Sequence, residues 1–281
     1  GHARLDGPDR VVVGDRVLET ERVFVNVGAR PRIPDLPGVG DVEFLTSTSI
    51  LELDEVPDHL IIIGGSYIGL EFAQIHRRLG AQVTVIEQGP RLISRDDPDV
   101  SDAIREMLEA EGVEFRLDAE CIGFSPADGS DPKARIRVEL DCTDGPPQIV
   151  GSHLLLAVGR VPNTDDLGLD TTDVTTDDHG YIVVDDQLRT DVDGIWALGD
   201  CNGHGAFTHT SYNDHEIVVA NLFDDDDRRV TDRIPCYALF TDPPLGRVGM
   251  TEAQARDSGR NVLVATRPMS RVSRAIEMGQ T

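Results

Sequence analysis

The sequence predicts an α/β fold in which a Rossmann-like domain, with a parallel sheet and an antiparallel hairpin, is inserted into a second domain. In residues 60–87 an apolar run, a glycine turn, a helical stretch and a second apolar run follow one another. Apolar runs without alternation at residues 113–115 and 154–158 indicate further strands that are buried on both faces of a parallel sheet. Short alternating segments in residues 3–27 instead indicate an antiparallel meander.

The glycine turn in this stretch is close to a dinucleotide-binding fingerprint. Gly64 and Gly69 occupy the first and third glycine positions of Gly-x-Gly-x-x-Gly, whereas Ser66 replaces the middle glycine and Gly65 precedes it. The second apolar run ends on Glu87, where a carboxylate can accept hydrogen bonds from the ribose hydroxyls of NAD. This combination predicts dinucleotide binding. The alternative is an ordinary βαβ crossover whose glycines only tighten packing.

The helix after the turn has an apolar face at helical spacing, formed by Ile68, Phe72, Ile75 and Leu79. We expect this face to pack against the sheet. Gly80 is expected to end the helix in the left-handed conformation.

Both strands and helices are expected in the rest of the chain. The meander is predicted to contain four strands, with a turn at Gly14 and Asp15. Asp97 is a predicted helix N-cap because a proline follows it. Strands are further expected at residues 135–140, 181–184, 194–198, 237–240 and 261–266, and helices at 98–110, at 208–223 and after Thr251.

The amino-acid composition limits the classes of partner that the protein can bind. Acidic residues number 51 against 26 basic ones in 281 residues, a net charge of -25, and Lys133 is the single lysine. Such a surface repels nucleic acid and anionic membranes. It is also typical of proteins from a salt-loaded cytoplasm, where high salt screens carboxylate repulsion. We therefore expect a halophilic source, and a merely acidic soluble protein is the alternative.

The cysteines indicate an intracellular protein. Cys121, Cys142, Cys201 and Cys236 are scattered without CxxC or metal-like spacing, so we expect reduced, mostly buried thiols and no metal site. No apolar stretch reaches the roughly 20 residues of a membrane span, and no signal peptide is recognisable. A cytoplasmic location is expected.

Five ordered motifs carry a family resemblance. They are GARPRIPDLPG from Gly28, GGSYIGLEFAQ from Gly64, GRVPNT from Gly159, ALGDCNG from Ala197 and DPPLGRVGMTE from Asp242. In these motifs the chain resembles the class I pyridine nucleotide-disulfide oxidoreductases, among them dihydrolipoamide dehydrogenase, glutathione reductase, mercuric reductase and the reactive-chlorine-resistance flavoprotein.

The resemblance implies a domain order and two cofactors. Residues 1–42 and 162–232 would form a partial FAD-binding domain, residues 43–161 the inserted NAD(P)-binding domain, and residues 233–281 the start of an α+β dimerisation domain. The family's upstream FAD fingerprint and CxxxxC disulfide, and its downstream His-Glu pair, are not in the sequence. We expect the chain to be a fragment, inactive alone, of an enzyme that is a homodimer at full length.

The resemblance also assigns site residues. For NAD they are Gly64, Gly65, Ser66, Tyr67, Ile68, Gly69, Glu87 and Gly159. For FAD they are Gly28, Ala29, Arg30, Gly199, Asp200, Thr210 and Ser211.

Three of the assigned positions carry specific roles by resemblance. Tyr67 resembles the tyrosine that covers the flavin until nicotinamide displaces it, and Glu71 resembles the acid beside the hydride-transfer site. Asp200 would bind the ribityl chain. Cys201 adjoins it, and we expect a buried packing thiol there rather than a redox group.

The function implied is hydride transfer from NAD(P)H to FAD and on to a disulfide, a metal ion or a related oxidant. FTHTSYNDH from Phe207 favours the mercuric-reductase or reactive-chlorine-resistance side over dihydrolipoamide dehydrogenase, which stays an alternative. A non-catalytic NAD-binding module and a flavin-free dehydrogenase are two further alternatives. Glu87 favours NAD over NADP, because its charge would repel the 2′-phosphate.

Overall fold

The computed structural model describes residues 1–129, 135–141 and 145–279, without the side chain of Cys121. The chain forms two compact units: unit 1 comprises Gly1–Arg32 and Gly159–Ile234, and unit 2 comprises Ile33–Val158 and Pro235–Thr281. The domain boundaries expected near residues 42, 161 and 232 differ slightly from these divisions and stay predictions. Cys142 and most of the polar turn expected before residue 135 lie outside the described residues.

The secondary structure alternates short strands with a few helices. In chain order the elements are β1 (Ala3–Leu5), β2 (Arg10–Val13), β3 (Arg16–Glu19), β4 (Val23–Val25), β5 (Ala29–Pro31), β6 (His59–Ile63), α1 (Tyr67–Leu79), β7 (Gln82–Ile86), α2 (Pro98–Ala110), β8 (Val113–Arg116), β9 (Glu120–Pro126), β10 (Ile136–Asp141), β11 (Gln148–Gly151), β12 (His153–Leu156), β13 (Arg160–Pro162), β14 (Ile195–Ala197), α3 (Thr208–Phe223), β15 (Cys236–Leu239), β16 (Leu245–Val248), α4 (Glu252–Asp257) and α5 (Ser273–Met278).

The predicted parallel sheet is confirmed in unit 2. Its strand order is β12-β6-β7-β8, and every neighbouring pair is parallel. Strand β6 alternates between two apolar clusters: Leu60 and Ile62 pack with Leu70 of α1, and Ile61 and Ile63 pack with the antiparallel sheet β11-β10-β9. Because both faces are covered, the strand has no polar alternation.

The apolar face predicted for α1 is only partly buried: Phe72 packs against the core, but Ile75 and Leu79 do not. Leu70 and Ala73 are 0% exposed, whereas Ile75 and Leu79 are 49% and 60% exposed. The reason is steric, because a Cβ added at Gly69 would lie 2.1 Å from the carbonyl oxygen of Gly64. The stripe that contains Gly69 must therefore face the strand, and Ile75 and Leu79 are turned outwards.

The predicted ends of the two long helices of unit 2 are confirmed. Gly80 adopts φ 107° after the last residue of α1, and its N–H donates to the carbonyls of His76 and Arg77. Asp97 is the N-cap residue of α2 and Pro98 is the first helical residue.

The hairpin expected at residues 135–140 is part of a larger antiparallel sheet. Strand β10 pairs with β11 and also with β9, which was not predicted. Two expected strands are absent from the described residues. Residues 181–184 form only an isolated bridge at Ile182, because Asp177 accepts the N–H groups of His179 and Tyr181 and holds a turn there. Residues 261–266 are irregular, and Leu263 is 97% exposed.

Unit 1 contains the predicted meander in a shorter form. Strands β1, β2 and β3 are antiparallel neighbours. Strand β4 was expected to continue the meander, but it pairs in parallel with β14 instead. Its Val25 packs with Ile182, Ile195 and Cys201 in one apolar cluster, so burial of its apolar residues determines the pairing.

The segment after residue 234 completes the core of unit 2. Strands β15 and β16 form an antiparallel hairpin. Leu239 is buried in the cluster that also contains Leu70, and Leu245 packs against it. Among the described residues, no helix has both the length and the apolar character that crossing a membrane requires.

We predict that Leu70→Ala lowers the free energy of unfolding of unit 2 by about 2–5 kcal/mol, because it leaves a cavity under α1. Leu79→Ala is the matched control on the exposed face of the same helix, and we expect a change of about 0.5 kcal/mol or less. Denaturant unfolding followed by circular dichroism measures both. If the two substitutions lowered the free energy of unfolding equally, the buried face expected from the sequence would be supported.

A second prediction concerns the contact between α1 and β6. Gly69→Ala is expected to lower the free energy of unfolding by about 1–3 kcal/mol or more, because the added methyl group overlaps the Gly64 carbonyl. Gly40→Ala is the control, since a Cβ at Gly40 meets no atom within 4 Å. A melting temperature of Gly69→Ala equal to that of the control would contradict the close approach.

Candidate functional site: a glycine turn and an acidic loop

The turn between β6 and α1 is built from three positions that exclude a side chain. A Cβ at Gly64 would lie 2.4 Å from the carbonyl oxygen of Ala157, and one at Gly65 would lie 2.7 Å from Cδ2 of Leu92. Gly69 closes the turn against Gly64, as described above. Gly65 therefore supplies a compact position just before Ser66, where the fingerprint lacks its middle glycine.

Ser66 is the N-cap residue of α1. Its backbone is extended, its side chain is exposed, and its hydroxyl makes no capping hydrogen bond to the helix. The first intrahelical bond runs from the Leu70 N–H to the Ser66 carbonyl, so the helix N-terminus begins at Ser66. Such a helix N-terminus attracts anions. The arrangement is suited to a phosphate group.

Glu87 lies beside this turn, as the sequence predicts for the end of the second strand. Its Oε2 accepts the Gly65 N–H at 2.7 Å and its Oε1 accepts the Gly89 N–H at 2.8 Å. One carboxylate thus joins the glycine turn to the loop after β7. Gly64, Gly65 and Glu87, three of the residues assigned to NAD, thus lie together at this turn.

Gly159 lies in unit 1, where it precedes β13. It adopts φ 107°, and its carbonyl accepts the Arg32 N–H at 3.0 Å.

Tyr67 is the first residue of α1 and is half-buried. Its hydroxyl donates to Oδ2 of Asp96 at 3.4 Å, and its ring centroid lies 5.1 Å from that of Tyr237. Burial raises the pKa of the Tyr67 hydroxyl, so the group keeps its proton at neutral pH. Sequence reasoning missed Asp96, because its partners are remote in the chain.

Glu71 lies one turn further along α1. Its Oε1 accepts the backbone N–H of Phe240 at 2.8 Å. This contact fixes the carboxylate against the residue that follows β15.

In unit 1 the residues assigned to FAD lie around the end of β14. Asp200 follows Gly199, and its Oδ2 lies 3.6 Å from Nε of Arg160. The Arg160 guanidinium also donates to the carbonyl of Ala29. Arg160 therefore contacts both Ala29 and Asp200, and it links β5, β13 and the loop after β14.

Gly28 and Arg30 hold the neighbouring segment. The Gly28 carbonyl accepts the Asn163 N–H at 3.0 Å. Arg30 donates through two nitrogens to Asp165, at 3.1 and 2.8 Å, and also to the Pro162 carbonyl at 3.1 Å. This pairing lowers the pKa of the Asp165 carboxyl. The Arg30 side chain thus links two protein segments.

Helix α3 contributes Thr210 and Ser211, which are buried and half-buried. Oγ of Ser211 accepts a hydrogen bond from Asn26 at 3.5 Å. The two residues lie one turn before Asp214, whose position sequence reasoning did not identify. Thr210, Asp214 and Ile217 recur at helical spacing and so share one face of α3. An acid on that face was the signal by which the sequence could have identified Asp214.

Asp214 is 0% exposed and organises the β14 loop. One carboxylate oxygen accepts the Gly199 N–H at 2.8 Å and the Asn202 side-chain amide at 3.0 Å. The other accepts the guanidinium of Arg233. The turn that presents Asp200 therefore depends on a buried, paired carboxylate.

The cysteine expectations are met in part. Cys201 is buried, and its thiol donates to the Leu198 carbonyl at 3.2 Å. Burial raises the pKa of this thiol, which fits a packing role. Cys236 is exposed, an exception to the expectation that the thiols are mostly buried. Across the described ranges, no three His, Cys, Asp or Glu side chains form a group that could hold a metal ion.

Known proteins match both parts of the chain. The family model "Pyridine nucleotide-disulphide oxidoreductase" matches residues 1–214, and the model of that family's dimerisation domain matches residues 236–281. The structure is similar to the HOCl-induced flavoprotein disulfide reductase RclA from Escherichia coli, with a TM-score of 0.89 and 35% identity over 100% of this chain and 63% of that one.

Two curated sequences agree with this structural match. The Escherichia coli protein named "Probable pyridine nucleotide-disulfide oxidoreductase RclA" is 36% identical over 95% of this chain and 59% of its own length. A mercuric reductase of Streptomyces lividans is 35% identical over 96% of this chain and 57% of its own length. The chain thus spans less than two thirds of each relative. With the motifs, the glycine turn and the family model in agreement, the chain belongs to the pyridine nucleotide-disulphide oxidoreductase family.

Proposed function

We propose that the chain supplies the nicotinamide-binding part and some of the flavin-binding part of an FAD-dependent NAD(P)H oxidoreductase. The observation that carries the proposal is the turn at Gly64, Gly65 and Gly69, closed by Glu87 at the N-terminus of α1. The two cofactors would supply hydride chemistry when bound. The residues of the chain bind and orient them.

On the nicotinamide side, the amides at the start of α1 would hold a phosphate group. Glu87 keeps both oxygens on backbone N–H groups, yet a carboxylate oxygen has a second lone pair that can accept a ribose hydroxyl. Tyr67 and Glu71 are the proposed neighbours of the nicotinamide. Tyr67 keeps a protonated hydroxyl, and Glu71 is held in place by the Phe240 N–H.

We propose NADH rather than NADPH as the electron donor. The Glu87 carboxylate would repel a 2′-phosphate, and such like-charge contacts cost several kcal/mol. Arg91, four residues on, could pair with that phosphate, but a pair at an exposed rim contributes about 1 kcal/mol or less. The repulsion therefore decides the preference.

On the flavin side, Asp200 is the proposed partner of the ribityl hydroxyls. Arg160 lies beside the Asp200 carboxylate, and Asp214 holds the loop by accepting the Gly199 N–H. Gly28, Ala29 and Arg30 would form the neighbouring edge of the site, with Thr210 and Ser211 near the flavin ring. The carboxylate acceptors and compact glycine positions in this part of unit 1 fit a polyhydroxylated cofactor.

The proposed final electron acceptor is a disulfide, a metal ion or a related oxidant. Relatives named as a disulfide reductase and as a mercuric reductase support this range. The second candidate function is NAD binding without catalysis, which the self-contained glycine turn of unit 2 favours. Flavin absorbance that bleaches with NADH distinguishes the two.

The assembly and the surroundings of the protein are further proposals. The expected domain order, with FAD-binding segments around an NAD-binding domain, stands as part of this proposal. The match of residues 236–281 to a dimerisation domain supports a homodimer of the full-length protein. The net charge of -25 supports a salt-rich cytoplasm.

For the cofactor preference, we predict that the wild-type chain binds NADH more tightly than NADPH, and that Glu87→Ala raises the relative affinity for NADPH about tenfold or more. The ratio of the NADPH affinity to the NADH affinity is the useful quantity, because the substitution also removes two hydrogen bonds from the turn. Titration with both dinucleotides at matched ionic strength measures it, with the exposed Glu106→Ala as the control. Equal or tighter NADPH binding by the wild type would contradict the role of Glu87.

For the flavin site, we predict that Asp200→Ala in the full-length protein weakens FAD binding about tenfold or more, because a charged acceptor is lost. NADH binding is expected to persist. Flavin absorbance per protein after purification measures the effect, with the exposed Asp193→Ala as the control. Unchanged flavin content would show that Asp200 does not bind the cofactor.

A further inference from the structure

A residue with a strained backbone lies beside the glycine turn of unit 2. Ile93, in the loop that joins β7 to α2, adopts φ 38°. A β-branched residue rarely adopts this left-handed conformation, because its Cβ comes too close to the following carbonyl oxygen. Ile93 is nevertheless 3% exposed, and it belongs to the apolar cluster that also contains Leu70, Leu92 and Ile104. Burial of the side chain therefore holds a backbone conformation that isoleucine disfavours.

Two hydrogen bonds fix the peptide group between Leu92 and Ile93. The Leu92 carbonyl accepts from the Ser101 hydroxyl at 2.9 Å. The Ile93 N–H donates to the Gly65 carbonyl, also at 2.9 Å. Ser101 lies in the first turn of α2 and is 3% exposed, so its hydroxyl donates in the interior of the unit. Helix α2 is thus linked to the glycine turn through a single peptide group.

The bond from Ile93 to Gly65 determines where the next amide points. The peptide bond between Gly65 and Ser66 is trans, and in a trans peptide the C=O and the N–H point in opposite directions. Because the Gly65 carbonyl faces the Ile93 N–H, the Ser66 N–H points away from the loop. Ser66 occupies the middle position of the fingerprint, where the backbone approaches the pyrophosphate of a dinucleotide. The loop therefore orients an amide that is suited to a phosphate oxygen.

We propose that Ile93 is a positioning residue of the dinucleotide site. Its left-handed backbone places the Ile93 N–H on the Gly65 carbonyl, and this bond orients the Ser66 amide for the phosphates. Ser101 supports the arrangement through the Leu92 carbonyl. Strained backbone of this kind is held by its surroundings and is concentrated at ligand sites. An amide that is oriented before binding loses less conformational entropy on binding. The inference rests on the proposed dinucleotide binding at this turn.

A purely structural role of Ile93 makes a different prediction. Ile93→Ala and Ile93→Gly both remove the buried side chain, but glycine adopts a positive φ readily and alanine does not. If Ile93 only fills the core, the glycine variant should be the worse of the two, because glycine also makes the unfolded chain more flexible. If its backbone orients the turn, the glycine variant keeps the conformation and should be the better one. The order of the two variants therefore separates the two roles.

The experiment compares these two variants with the wild type and with Ile104→Ala and Ile104→Gly as matched controls. Ile104 is 7% exposed, lies within α2 and belongs to the same apolar cluster. Calorimetric titration with NADH, at a temperature at which all variants are folded, gives the affinities, and thermal unfolding gives the melting temperatures.

We expect Ile93→Ala to weaken NADH binding roughly threefold to tenfold, the effect of one hydrogen bond. Ile93→Gly should bind NADH more tightly than Ile93→Ala and melt at an equal or higher temperature. At position 104 the order of the melting temperatures should be reversed, because glycine is the poorer residue in a helix. Both control variants should bind NADH like the wild type.

Two results would overturn the inference: an Ile93→Ala variant that binds NADH like the wild type, or an Ile93→Gly variant that binds NADH no more tightly than Ile93→Ala. If Ile93→Ala does not fold, Ser101→Ala decides, because it removes one oxygen atom and leaves the Ile93 side chain in place. Weaker NADH binding by Ser101→Ala is expected, and an unchanged affinity would overturn the inference. A wild-type chain that binds no NADH would instead refute the proposed function of the turn.

Discussion

At Gly69 the first turn of α1 lies so close to the Gly64 carbonyl that no methyl group fits between them. This contact determines which side of α1 faces the sheet and where the helix begins relative to β6. The N-terminus of α1 therefore lies at the carboxyl end of β6. Glu87 reaches the Gly65 N–H because β7 ends beside the same turn. The geometry of the site follows from one close backbone approach.

Two buried carboxylates organise loops in this acidic protein. In unit 2 Asp96 binds Arg247 and two tyrosines, and in unit 1 Asp214 binds Arg233, an asparagine and a backbone amide. Each is paired with an arginine, as a buried charge requires. Both determine the positions of loops beside the proposed cofactor sites.

The sequence predicted the parts of the fold that depend on local patterns. Strand β6, the helix end at Gly80 and the place of Glu87 follow from apolar runs, glycine conformation and motif spacing. The buried face of α1 could not be predicted, because two adjacent stripes were apolar enough and a backbone contact selected the smaller one. The contacts of Asp96 with Tyr67, Tyr237 and Arg247 were also beyond the sequence, since Asp96 and Tyr237 are separated by 141 residues and no local pattern links them.

The position of the β15–β16 hairpin has a consequence for the order of folding. Leu239 lies in the same apolar cluster as Leu70, and Glu71 accepts a bond from Phe240 across a separation of 169 residues. A ribosome therefore releases the whole parallel sheet long before the chain that covers one edge of its core. Contacts of such long range form slowly, because loop closure precedes any gain from packing. Until the hairpin is synthesised, the nascent sheet exposes apolar surface. This is the stage of synthesis at which the chain offers a chaperone the largest apolar surface.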